Sequence, residues 1–70
     1  MVWQASIVVR VKDGIYMAGF ASEIPKRSGW EDVADFGSWF GSQMSYRPFR
    51  CALSDAHELA ESLNAKARSK

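Results

Sequence analysis

The dipeptide Asp13-Gly14 lies between two stretches of alternating hydrophobicity, and nothing else in the chain restricts its fold as much. A two-residue turn of this kind needs φ > 0 at both central positions, which Gly adopts freely and Asp tolerates. Upstream, Trp3, Ala5, Ile7, Val9 and Val11 alternate with Gln4, Ser6, Val8, Arg10 and Lys12, the period of a half-buried strand. Downstream, Ile15 to Ile24 alternates again. Closing the turn at Asp13-Gly14 pairs Lys12 with Ile15, Val11 with Tyr16, Val9 with Ala18 and Ile7 with Phe20. The apolar odd positions of the first strand then share a face with Tyr16, Ala18 and Phe20. Turn chemistry and pattern agree on one register. The reverse face sets Arg10 and Lys12 beside Ile15, Met17 and Gly19, a mixed surface.

The second notable stretch is Ser28 to Met44, SGWEDVADFGSWFGSQM, which holds two of the three tryptophans, two of the four phenylalanines and no basic residue. At 100° per residue, Trp30, Val33, Ala34, Gly37, Phe40, Gly41 and Met44 fall on one helical stripe. Ser28 and Glu31 have capping-box spacing, and Glu31 and Asp32 suit the first turn of a helix. Against a continuous helix stand Gly37 and Gly41, each costing about 1 kcal/mol relative to Ala. Their place on the inner stripe fits close approach of the helix backbone to the sheet; the alternative is that the helix ends or kinks at one of them. On this reading Trp39 faces outward between Asp32 and Asp35, with Phe36 at the edge of the stripe.

The remaining elements complete an expected order. Pro25 closes the second strand, and Lys26-Arg27 forms a basic loop. Tyr46 to Leu53 reads as a third, edge strand with Phe49, Cys51 and Leu53 inward and Pro48 and Arg50 outward. A last helix begins at Ser54 or Asp55 on a stripe of Ala56, Leu59, Ala60, Leu63 and Ala67. Its late cations Lys66, Arg68 and Lys70 oppose the helix dipole, and the residues from Ala67 are expected to fray. The expected fold is α+β: one domain over residues 1–70, a two-layer β-β-α-β-α arrangement with a three-stranded, mainly antiparallel sheet and two helices on one face.

Seventy residues bury only about 60% of their unfolded surface, so a folded monomer has modest stability and homodimerisation would help it. The net charge of +1 argues against a strongly basic nucleic-acid binder or a polybasic membrane anchor. A single cysteine and an N-terminal apolar run broken by Arg10 and Lys12 point to a cytoplasmic protein without a signal peptide or membrane span.

Catalysis finds little support. Cys51 is expected inside the core and His57 on the outer face of the last helix near Glu61, so no activated nucleophile is assembled. One His and one Cys do not make a metal site, and the glycines lack the lysine of a phosphate loop. A non-enzymatic protein without cofactor or metal is expected.

Two binding readings remain. In the first, Trp30, Phe36, Trp39 and Tyr46 form an aromatic patch beside Asp32 and Asp35, the composition of a protein-docking surface. In the alternative, Arg10, Lys12, Lys26, Arg27, Arg47 and Arg50 form a basic sheet face that grips nucleic-acid phosphates. The stretch VVRVKDGIYMAGFASEIP (8–25) resembles the opening hairpin of HicB-type antitoxin domains, and Leu53 to Leu63 resembles the helix start after their third strand. The aromatic insertion departs from that pattern, and no functional residue is carried over. By size and style alone the chain is similar to phage and mobile-element inhibitors such as anti-CRISPR proteins. The expectation is therefore an inhibitor or regulator that binds a protein.

Overall fold

A computed structural model describes residues 3–41 and 46–69. The chain forms β1 (Trp3–Lys12), β2 (Ile15–Phe20), a short 3-10 turn at Lys26–Ser28, β3 (Glu31–Gly41) and α1 (Tyr46–Arg68). The sheet is antiparallel with order β2-β1-β3, and α1 covers one of its faces. The class is α+β.

The β1–β2 hairpin has the register that its turn dictates: Lys12 with Ile15, Val11 with Tyr16, Val9 with Ala18 and Ile7 with Phe20. Asp13 and Gly14 have φ of 53° and 79°, the left-handed values that the turn demands. β2 stops at Phe20 rather than continuing to Ile24. There the chain leaves the sheet, and Ala21 to Trp30 carries it back along β1 so that β3 can start opposite Val11.

This crossover lies on the sheet face away from α1. Arg10, on that face, donates through Nη1 to the carbonyls of Ala21 (3.2 Å) and Ile24 (2.8 Å). Ile24 and Val8 are buried there, outside the core beneath the helix. That core consists of Ala5, Ile7, Val9, Phe49, Ala56 and Ala60, with Phe20, Trp39, Leu53 and Leu59 among its half-buried neighbours. Phe49 joins the layers, stacked on Phe20 at 5.5 Å and meeting Trp39 edge-on at 6.1 Å.

Two expected elements are corrected. The aromatic stretch is a strand from Glu31 to Gly41, not a helix over Ser28 to Met44, and Gly29 takes φ 97° where a capping box was expected. Residues 42–45, the end of that expected helix, lie outside the described residues. Two register shifts relative to β1 explain the misreading. One falls between Val9 and Arg10, the other between Ser6 and Val8. Each bulge inserts a residue into β3 and breaks the period of two. Ala34, Phe36 and Trp39 therefore face the core at uneven spacing, and the stretch resembles a helix in projection.

The second correction is that Tyr46 to Leu53 is not a strand but the first part of α1, so the order is β-β-β-α with one helix. Phe49, Leu53, Ala56 and Ala60 recur at helical spacing and extend the last helix's stripe upstream. Pro48 falls in the first turn, where its missing N–H has no intrahelical partner to lose. Cys51, expected inward, is exposed on this helix. Ala67 is exposed also, and the helix is assigned as far as Arg68.

Candidate functional site

The two outer strands of the sheet end differently. Ala21 N–H donates to the Ser6 carbonyl, so the even residues of β1 direct their backbone groups toward β2 and the odd ones toward β3. The backbone groups of Tyr16 and Ala18 therefore point off the β2 edge, as do those of Ser38 and Phe40 off the β3 edge.

At β2 that edge is covered. Asn64 of α1 donates through Nδ2 to the Tyr16 carbonyl (2.9 Å) and accepts the Tyr16 N–H on Oδ1 (2.8 Å), replacing a neighbouring strand with one side chain. Glu23 accepts the Phe20 N–H. α1 lies mainly over β2, less over β1 and least over β3. Among the described residues β3 is thus the open flank. It carries two large exposed apolar side chains, Val33 at 40% and Phe40 at 66% exposure. Phe36 and Trp39 on its core face are only half covered.

The sequence-derived docking residues occupy this flank in a changed arrangement. Trp39 does not stand outward on a helix; it is half-buried against Phe49, with its ring beneath Gly37. A Cβ on Gly37 would meet the indole at 3.6 Å, an ordinary contact, but φ there is 99°, a left-handed value that favours Gly. Phe36 also faces the core. Asp35 accepts the Gly37 N–H at 2.7 Å and holds the bulge. Trp30 is half-buried just before β3, with Lys12 Nζ 5.9 Å from its ring centroid.

Asp32 is exposed and pairs with Lys26 Nζ at 3.0 Å and Arg10 Nε at 2.8 Å. The hydrogen bonds from Lys26 and then Arg10 hold its carboxyl below the usual carboxylate value. Tyr46 lies within α1, and its side chain is outside the described residues. Sequence reasoning missed Val33 and Phe40, which it placed on an inner stripe. Val33 lies at a bulge, and Phe40, opposite Gln4, faces the side of the sheet away from α1; a helical reading of the stretch places neither there.

Arg10 and Lys12 share the sheet face away from α1, but the basic set as a whole does not lie on one face. Arg10 and Lys26 hold Asp32, Arg10 also holds the crossover, and Lys12 lies against Trp30 and Gly29. Arg27 is exposed on the 3-10 turn. Arg50 projects from α1, which covers the opposite side of the sheet from Arg10. Arg47 is in the same helix, its side chain outside the described residues. His57 and Cys51 are both exposed on α1. Six residues separate them, which sets them more than a right angle apart around the helix. Among the described residues no group of three His, Cys, Asp or Glu could hold a metal ion. An open cleft of about 870 Å³ between the hairpin turn and the end of α1 brings Ile15 near Glu61, Asn64 and Arg68, but Asn64 is committed to Tyr16. Among the described residues no helix is long and apolar enough to cross a membrane.

These features define a small α+β domain: a three-stranded antiparallel sheet backed by one helix, closed at one edge and open at the other. No family model, curated protein or solved structure matches the chain.

Proposed function

We propose that this is a non-enzymatic protein-binding domain that docks through the β3 flank. One observation carries the reading. An eleven-residue outer strand combines a backbone edge that no described residue covers with exposed Val33 and Phe40 and half-covered Phe36 and Trp39. Strand addition supplies main-chain hydrogen bonds along such an edge, and the apolar side chains beside it supply specificity. Glu31 and Asp35 border the surface, where negative charge speeds encounter with a basic partner more than it deepens affinity. An inhibitor or regulator acts in this way, by occupying a surface that its target needs.

The reading is tested by capture from the native host with mass spectrometry, using wild type, Phe40→Lys and Met17→Lys. Met17 is an exposed residue of β2, the strand on the far side of β1, and serves as control. Specific capture that Phe40→Lys abolishes and Met17→Lys retains is the expected result. Capture unaffected by Phe40→Lys, with the variant folded by circular dichroism, places docking elsewhere and overturns the reading.

A further inference from the structure

The β3 flank is unfinished in two ways at once. Among the described residues its backbone edge has no neighbouring strand, and the core face behind it is thinly covered because α1 is displaced toward β2. A single partner strand with a helix behind it would complete both layers, and a second copy of this chain carries that combination.

Charge along β3 decides the direction of pairing. Glu31, Asp32 and Asp35 occupy its first half, and residues 36–41 carry no charge. Parallel pairing would stack like carboxylates about 4.8 Å apart across the new ladder. Antiparallel pairing sets each acidic half against the uncharged half of the other strand. With a two-fold axis near Phe36, the exposed Phe40 of each copy lies toward the half of the second strand that holds Val33. Eleven residues of strand extend roughly 36 Å. A standard interface buries about 800 Å² per partner, so the sheet and helix layers behind an edge of that length must meet as well as the strands themselves. A chain of seventy residues also gains more from such a contact than a large domain does.

We propose that β3 pairs antiparallel with β3 of a second copy, giving a two-fold dimer with a continuous six-stranded sheet. This rests on the docking role of the β3 flank and names its occupant. The two bulges bend the edge, and Ser38 and Phe40 direct backbone groups outward, as do Asp35 opposite Val8 and Asp32 opposite Arg10. The pairing therefore carries a bulge across the axis: Phe40 with Asp32 and Ser38 with Asp35. Closure about the two-fold axis covers both edges together, so the assembly stops at two.

The test is sedimentation velocity over a wide concentration range, with hydrogen exchange on the same samples. The expected result is a species of twice the 7.8 kDa chain mass, with the Ser38 and Phe40 amides protected and the protection lost on dilution. Ser38→Pro removes an outward N–H that β1 does not use, and Phe40→Lys puts charge on the edge; both give folded monomers by circular dichroism. Phe40→Lys alters an exposed side chain and remains decisive if Ser38→Pro fails to fold. Folded wild-type monomer at every concentration overturns the second copy as occupant and leaves docking of another protein to the capture experiment. A dimer that survives both edge variants is built on another surface and overturns β3 pairing, while docking of another protein on this flank is decided by the capture experiment.

Discussion

At the scale of single residues, Asn64 shows how one side chain closes a sheet edge. Its carboxamide offers a donor and an acceptor at the spacing of a peptide group, and both meet the backbone of Tyr16. Asn64→Ala is expected to destabilise the fold by about 1–3 kcal/mol, because it leaves part-buried backbone groups without partners. Asn64→Asp is expected to cost at least as much, since a carboxylate repels the Tyr16 carbonyl. Denaturant midpoints of the two variants check this, and a loss below about 0.5 kcal/mol in Asn64→Ala would show the contact to be dispensable. In the sequence Asn64 follows Leu63 on an apolar stripe, and nothing nearby marks it as a strand mimic. The partner is forty-eight positions away.

At the scale of elements, the hairpin was legible because its turn and its alternation are local and agree. β3 was not, because two bulges interrupt its period and Gly37 and Gly41 fit the packing of a strand as well as the end of a helix. The upstream half of α1 was obscured by a chance alternation of Phe49, Cys51 and Leu53 and by Pro48, whose place in a first turn costs nothing. The crossover from β2 to β3 carries its own prediction. Lys26 and Arg10 hold Asp32 in its charged form, so its folded pKa lies below the unfolded value of about 3.9. A depressed carboxylate stabilises the fold fully above the unfolded pKa and loses that contribution as pH falls through the folded one. Wild type is therefore expected to lose stability relative to Asp32→Asn on acidification below about pH 5, and to exceed it near neutrality. Urea midpoints measured against pH test this; parallel curves for the two proteins would exclude the linkage.

At the scale of the whole molecule, the layers meet through few groups. The described structure spans 45 × 24 × 12 Å, a thin slab whose sheet and helix are joined at Phe49 by Phe20 and Trp39. Phe49→Ala is expected to cost about 3–5 kcal/mol, comparable to the full stability of a chain this small. Calorimetry should find little folded protein in that variant, whereas Cys51→Ala, two residues on and exposed, should stay within about 0.5 kcal/mol of wild type. A cooperative transition retained by Phe49→Ala would show that the junction is shared more widely. Of the candidate docking residues, the sequence placed Asp32 and Asp35 on the surface, where the structure has them, but set Trp39 outward when it is half-buried against Phe49. Phe40, which it set on an inner stripe, is exposed. Which aromatic ring is covered depends on where the helix lies across the sheet.

By itself the amino-acid sequence settled the features that neighbours in the chain enforce on one another: the left-handed turn, the strand pairing that it imposes, the apolar face of β1 and the helical stripe from Ala56 to Leu63. The identity of the third strand, the length of the helix, the exposure of Phe40 and the closure of one sheet edge by Asn64 were decided only when distant segments met. Bulges, crossovers and edge contacts gain their energy from residues tens of positions apart, and a periodicity read within a short window carries no record of them.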